Sequence, residues 1–376
     1  MKLIRTIAAV VWIACIATAA QAQVPPDIEA GLRKIGQIVD PPCTAKLYRP
    51  LMPKNDYNTY WPVGAPAPTN LTTLYPGVKL ARDVSFGSHP KDLMDIFSSE
   101  KGAGNRTVLI YLPGGGGNKI EQQNREANAF YDNIGRWAVK NDMVAVTMQR
   151  HPAQNWDDGG RDVSTLIQWL QTNIAKYGGN PNRMFIWAQS AGNGPLGVYI
   201  GHPELYGPNG VGVKGAVFMS GNPVPGIVPP AQGGGGNPLA GGGETCGVPG
   251  GATSTAGAIS GPSADTSQPQ RGAVGAGGAG GRGQQIDAAT LAARSNLPGF
   301  KSTNVAIMIA RAELDPGVNG GMTAADNALR DELCKVGHCP VMLYMKGESH
   351  MSAVFSIDTS DQTVSGPILA WIKSLK

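Results

Sequence analysis

The residues whose spacing could do chemistry begin at Ser190, inside the stretch MFIWAQSAGNGP from Met184 to Pro195. A short apolar run, Met184 to Trp187, stops at small residues around one serine, and a small-residue segment able to begin a helix follows. Strand, tight turn and helix in that order are what a nucleophile elbow requires, because a strained turn lifts the serine hydroxyl above the sheet. The usual pattern is Gly-x-Ser-x-Gly, since a Cβ two residues to either side would meet the neighbouring strand or helix. Here Ala188-Gln189-Ser190-Ala191-Gly192 carries one methyl group where the first glycine normally lies.

Serine is a poor nucleophile unless a base lies within hydrogen-bond reach and a third group holds that base in the right tautomer. In a chain of alternating strands and helices the order to look for is Ser, then Asp or Glu, then His, each just past the C-terminal end of a strand. After the predicted strand Val305–Ala310 stands Arg311-Ala312-Glu313-Leu314-Asp315-Pro316, which offers two carboxylates. Asp315, deeper in the loop and followed by proline, is the preferred acid, with Glu313 the alternative. After the predicted strand Val341–Met345 the chain reads Lys346-Gly347-Glu348-Ser349-His350-Met351-Ser352, placing His350 in a loop opened by glycine. Of the five histidines (His89, His151, His202, His338 and His350) only His350 follows a late strand and lies downstream of the acid.

Acyl transfer also needs backbone donors for a developing oxyanion. The apolar run Thr107–Leu112 leads into Pro113-Gly114-Gly115-Gly116-Gly117-Asn118, where successive N–H groups without side chains can form an anion-binding concavity. Ala191 N–H would supply the other side of the hole. The glycines do not read as a phosphate loop, because Asn118-Lys119 does not provide the lysine-serine/threonine pair that such a loop needs.

The elements that must position these groups follow from the rest of the chain. Residues 1–22 read as a secretory signal peptide: Lys2 and Arg5 precede an apolar run from Ile7 to Ala19, and Ala20-Gln21-Ala22 is a small-x-small cleavage site. The expected location is therefore periplasmic or secreted, with no membrane insertion after cleavage. The net charge of +4 includes the two leader cations, leaving +2, and no basic cluster suggests a nucleic-acid partner. Of five cysteines Cys15 leaves with the leader, and Cys43, Cys246, Cys334 and Cys339 remain with three possible pairings. A local Cys334–Cys339 bridge is the first expectation and Cys43–Cys246 the second. A zinc site at Cys334, Cys339 and His338 is the rival reading, set aside for its small ligand set.

Residues 23–77 are expected to form one helix, Asp27 to Val39, ended by Pro41-Pro42, and then an irregular arm. From residue 78 to 376 a single catalytic domain is expected. Two strands (Val78–Phe86, Leu93–Phe97) come first, then strands Thr107–Leu112, Met143–Met148, Met184–Trp187, Val213–Met219, Val305–Ala310 and Val341–Met345. Helices Ala127–Lys140, Arg161–Tyr177, Ile286–Arg294, Thr323–Val336 and Pro367–Leu375 separate or follow them. That alternation predicts an α/β protein with a mostly parallel sheet between helices. The exception is 225–285, rich in glycine and poor in large apolar side chains, which reads as a flexible insertion or as a flap leaving from a strand's C-terminal end.

The segments YLPGGGG (111–117), RDVSTLIQWLQTNIAKYGGNPNRMFIWAQSAGN (161–193), ARAELDP (310–316) and GESHMSA (347–353) resemble the α/β-hydrolase fold. Within it they are similar to secreted carboxylesterases of the hormone-sensitive-lipase and feruloyl-esterase-like branch. The resemblance covers roughly 78–376 outside the insertion. It implies Ser190 as nucleophile, His350 as base, Asp315 as acid, and Gly115, Gly116 and Ala191 as oxyanion donors. It implies no cofactor or metal, and an ester of small-molecule or polymer-linked kind as substrate. Two departures stand out: Pro113 occupies the place of a histidine that usually opens the glycine loop, and Gly117 that of an aromatic residue. The expected function is ester hydrolysis through an acyl-enzyme. The alternatives are a peptidase of the same fold and a binding protein on a retired hydrolase scaffold.

Overall fold

The run Val108–Leu112 is buried at every residue, and its side chains alternate between two separate apolar cores. Val108, Ile110 and Leu112 enter one core; Leu109 and Tyr111 enter the other. Such a run can only be a strand covered on both faces, since successive side chains of a strand point to opposite sides. The computed structural model describes residues 23–52, 75–102, 104–115, 131–151, 153–228, 287–318 and 321–375. The predicted leader, nearly all of the glycine-rich insertion and most of the predicted arm lie outside the described residues.

Eight strands form one sheet: β1 (Val78–Ser85), β2 (Leu93–Ser99), β3 (Arg106–Leu112), β4 (Met143–Met148), β5 (Gly179–Gln189), β6 (Gly215–Met219), β7 (Ala306–Leu314) and β8 (Val341–Ser349). Their order is β1-β2-β4-β3-β5-β6-β7-β8. β1 pairs antiparallel with β2 and β2 with β4, while every other pairing is parallel. Parallel neighbours need crossover segments, so the C-terminal ends of β3 to β8 share one edge of the sheet, where such folds place their ligands. This is the α/β-hydrolase arrangement expected from the sequence.

One face is covered by α1 (Pro26–Ile35), α2 (Pro41–Tyr48), α3 (Asp132–Lys140) and α10 (Ser365–Ser374), whose Leu32, Tyr48, Trp137 and Trp371 join Trp187 and Phe185 in its core. The other face is covered by α4 (Asp158–Asn173), α5 (Asn193–Gly201), α7 (Leu297–Ser302) and α8 (Gly321–Cys334), which contribute Leu166, Tyr199, Phe300 and Leu329. Short helices α6 (Ala288–Ala293) and α9 (Ser352–Phe355) complete the described set. Among the described residues no helix is long and apolar enough to cross a membrane.

Several expectations are corrected. Pro41-Pro42 ends no helix but opens α2: α1 stops at Ile35, Asp40 caps the Cys43 N–H at 2.9 Å, and proline suits a first turn whose N–H groups lack partners anyway. β5 starts five residues early, at Gly179, because the turn closing α4 feeds directly into pairing with β3. β7 and β8 both run four residues past their predicted ends, to Leu314 and Ser349, pairing with each other through a register shift between Ala312 and Leu314. The extra residues lie on β8, where Lys346, Gly347 and Glu348 span the interval that Glu313 alone spans on β7, so Glu313 and Gly347 belong to strands rather than loops. Cys334 and Cys339 form the disulfide expected first, which removes their sulfurs as metal ligands. Cys43 is also disulfide-bonded; Cys246, its expected partner, lies outside the described residues.

Candidate active site

β5 ends at Gln189 and the next residue, Ser190, takes φ +52°, a left-handed conformation that costs a non-glycine residue energy. A 3-10 turn, Ser190–Gly192, then leads straight into α5. Asn193 holds the bend: its Nδ2 donates to the carbonyls of Ser190 (2.8 Å) and Met219 (2.9 Å), tying the turn to the end of β6. Gly192 is strictly required, since a Cβ there would lie 2.6 Å from the Leu112 carbonyl oxygen. Ala188, the substituted position, is fully buried at the end of β5 and its methyl is accommodated. The elbow therefore tolerates a side chain on its strand side but not on its helix side.

The hydroxyl of Ser190 lies 2.8 Å from His350 Nε2, and His350 Nδ1 lies 2.8 Å from Asp315 Oδ1. The three side chains come from the ends of β5, β8 and β7, 125 residues separating Ser190 from Asp315 and 35 separating Asp315 from His350. Directing the Nδ1 proton at Asp315 leaves a lone pair on Nε2 to accept the serine proton. Asp315 is wholly buried. Its other oxygen accepts from the Ser220 hydroxyl (2.7 Å) and the Ala312 N–H (3.0 Å), with Arg311 Nη1 3.6 Å away. Burial pushes this carboxyl up, but His350, Arg311 and Ser220 together hold it below the usual carboxylate range.

Glu313, the alternative acid, points elsewhere: Gly347 N–H donates to it at 2.7 Å, and Arg33 of α1 reaches it at 3.2 Å. The bulge on β8 brings the Gly347 N–H to Glu313, while Asp315, just past the end of β7, turns to His350. Two residues before His350, Glu348 is also fully buried. The Ser352 hydroxyl donates to it, and Tyr48 Oη, which donates to Asp361 at 2.9 Å, lies 3.4 Å away. Burial and the neighbouring Asp361 charge push the Glu348 carboxyl well above its ordinary value, so it keeps its proton.

The loop after β3 follows the elbow closely. A Cβ on Gly114 would meet Gln189 Oε1 at 2.3 Å and Ser190 Cβ at 2.7 Å, and Gly115 has φ +55°. Of the expected oxyanion donors, Gly115 and Ala191 are described, Ala191 directly after Ser190, while Gly116 lies outside the described residues. Pro113 cannot brace the loop by a side chain. Arg150, just past β4, does so from the other side: its guanidinium donates to the carbonyls of Pro113 (2.9 Å), Gly114 (3.3 Å) and Gly115 (2.9 Å). These bonds fasten the loop to the segment just past β4. Burial lowers the Arg150 guanidinium from its ordinary value.

Arg150, Ser220, Asn193 and Glu348 are the residues that sequence reasoning passed over. Ser220 had a signal, being a polar residue directly after the all-apolar strand β6, and its φ of +53° marks a second strained turn at the same sheet edge. His338, considered with the cysteines as a ligand, instead sets its ring nitrogens 2.9 Å from the Val305 carbonyl and 3.3 Å from that of Phe300.

Comparison with known proteins adds three findings. Residues 93–230 match the model of the carboxylesterase family, a span that holds the 113–115 loop and Ser190 but ends before Asp315 and His350. Among curated proteins, a probable isoprenylcysteine alpha-carbonyl methylesterase of Arabidopsis thaliana is 25% identical over 116 residues, 30% of this chain and 22% of that protein. The fumonisin B1 esterase of Sphingopyxis macrogoltabida is 28% identical over 128 residues, 29% of this chain and 23% of its own. The chain thus spans about a quarter or less of the length of these relatives. Among solved structures, inhibited esterase B from Lactobacillus rhamnosis superposes with a TM-score of 0.50 at 12% identity, over 80% of this chain and 88% of that one, a likeness of fold. The matched region is similar to the carboxylesterase family, and the sheet order is that of an α/β-hydrolase fold.

Proposed function

We propose that the protein is an exported serine hydrolase that cleaves carboxylic esters through an acyl-enzyme. The observation that carries this reading is the unbroken hydrogen-bond chain Ser190–His350–Asp315 at the C-terminal edge of the sheet, each link 2.8 Å. Ser190 attacks the ester carbonyl as His350 Nε2 takes its proton, and the Asp315 charge stabilises the imidazolium that forms. The N–H groups of Gly115, Gly116 and Ala191 meet the oxygen that becomes negative. His350 returns the proton to the leaving alcohol, and water then cleaves the acyl-enzyme by the same relay. Cleavage of the leader after Ala22 and the paired cysteines are consistent with an oxidising compartment.

The test is turnover of acetyl, butyryl and feruloyl esters by the purified protein, together with labelling by a serine-reactive phosphonate read by peptide mass. Ester turnover with the label on Ser190, both lost in Ser190→Ala, supports the proposal. Label on Ser190 without turnover of any ester identifies the binding-protein alternative, and turnover of peptides but not esters identifies the peptidase. An N-terminus beginning at Gln23 in exported material tests the leader.

A further inference from the structure

Away from the serine, three metal-ligating side chains from the β1–β2 connection and the segment after β4 gather beside α4, and a fourth, Asp162, adjoins one of them. His89 and Asp92 stand three residues apart in the connection between β1 and β2, His151 directly follows the loop-bracing Arg150, and Asp162 lies in α4. Ligating atoms of His89, Asp92 and His151 all lie within 4.8 Å of one another. His151 Nε2 is 3.1 Å from Asp162 Oδ2 and 3.5 Å from Asp92 Oδ1. We propose that His89, Asp92, His151 and Asp162 form a structural zinc site that fastens the edge hairpin and α4 to the segment carrying Arg150.

Three observations support this. First, the spacing is that of a shared ion: in a tetrahedron of N and O ligands about 2.0–2.1 Å from zinc, ligand atoms sit about 3.3–3.4 Å apart, and the two measured separations bracket that value. Second, Asp92 Oδ1 belongs to a buried residue and accepts no hydrogen bond, while Asp92 Oδ2 is committed to the His89 N–H at 2.9 Å. A buried carboxylate oxygen without a donor is costly, and a cation supplies what is missing. Third, one imidazole nitrogen, His151 Nε2, faces two carboxylates, and a single N–H can serve only one of them well, whereas a metal bound there serves both. The His89 and His151 rings are already stacked, with centroids 4.0 Å apart. His89 is the ligand that must adjust, because its Nδ1 now accepts the Lys91 N–H at 3.1 Å and gives up that bond on ligation. Two imidazoles with two carboxylates suit zinc better than calcium or magnesium, which take all-oxygen sets.

The site touches none of the three side chains at the serine; through Arg150 it touches the loop that faces them. The test is metal binding, read without substrate, so its failure leaves the ester-hydrolysis proposal untouched. The purified full chain is stripped with a chelator and titrated with Zn2+, with Ca2+ and Mg2+ as controls. Metal content and calorimetry should give one zinc per chain, and saturating zinc should raise Tm by roughly 5 °C. His89→Ala, at an exposed position expected to leave folding intact, should weaken zinc binding roughly tenfold or more, and Asp162→Asn should do so as well. Absence of saturable zinc binding, zinc binding that His89→Ala leaves unchanged, or saturation by Ca2+ in place of Zn2+ would each overturn the proposal.

Discussion

Two carboxyl groups stand at the ends of neighbouring strands, both wholly removed from water, and end in opposite states. Asp315, after β7, receives the Ser220 hydroxyl, the Ala312 N–H and His350, with a guanidinium nearby, and is held ionised. Glu348, near the end of β8, shares its pocket with a second acid, Asp361, and two hydroxyls, and keeps its proton. Equal burial penalises both charges equally. What separates them is the count of donors and positive charge, so ionisation is set by partners and not by depth. The ionised one can orient a base, while the neutral one can only pack behind it.

The sharpest way to break this contrast is isosteric amide replacement at both sites. Asp315→Asn should lower kcat in the ester assay by roughly 10^4-fold, because the amide favours the wrong imidazole tautomer. Glu348→Gln, replacing a group that is already neutral, should stay within about threefold of wild type. Equal losses from the two variants would refute the assignment of charge. A second test removes the positive side. Arg311 bonds Asp326 through Nε (2.8 Å) and Nη2 (2.9 Å), so Arg311→Met leaves a buried carboxyl without its partner. Unfolding in urea should show a loss of about 3–5 kcal/mol.

A smaller effect is expected from Ser220→Gly, which suits the φ of +53° yet deletes the hydroxyl donor to Asp315. Loss of one bond to a charged group, about 1.5–3 kcal/mol, corresponds to a fall in kcat of about ten- to a hundredfold with Tm little changed. The subtlest test is the pH dependence of stability, where the two acids should have opposite signs. Asp315, held below its ordinary 3.8, contributes stability that is present above that value and lost as pH falls through its folded value. Glu348, held above its ordinary 4.5, contributes stability at low pH that declines as pH rises from 4.5 toward its folded value. In urea titrations from pH 3 to 8, Asp315→Asn should flatten the acid limb and Glu348→Gln the opposite one, each by at most about 1.4 kcal/mol per pH unit. Parallel changes in both variants would show that the two carboxyls do not differ.

The architecture was readable because burial on two faces leaves a plain mark: uninterrupted apolar runs such as Thr107–Leu112 separated by one-sided helices such as α4. The sites where reading went astray are those where local chemistry has two outcomes. Pro41-Pro42 can stop one helix or start another, and only the Asp40 cap with the burial of Tyr48 beneath Asp361 selects the second. The apolar alternation of β7 stops at Ala310 because Arg311 enters a buried ion pair, and pairing with β8 carries the strand on regardless. The insertion, save for residues 225–228, and Gly116 fall outside the described residues.

By itself the amino-acid order determined which groups could meet: alternating strands and helices oblige every parallel strand to end on the same edge, so Ser190, Asp315 and His350 needed only to follow strands in turn. Whether Glu313 or Asp315 faces the imidazole, and what braces a loop that lacks its usual histidine, belonged to the tertiary structure. The first depends on a two-residue register shift between β7 and β8, and the second on Arg150 reaching carbonyls 35 to 37 residues earlier in the chain. Neither leaves a periodic trace, because each is a contact between segments whose separation is set by the fold and not by any repeat of the backbone.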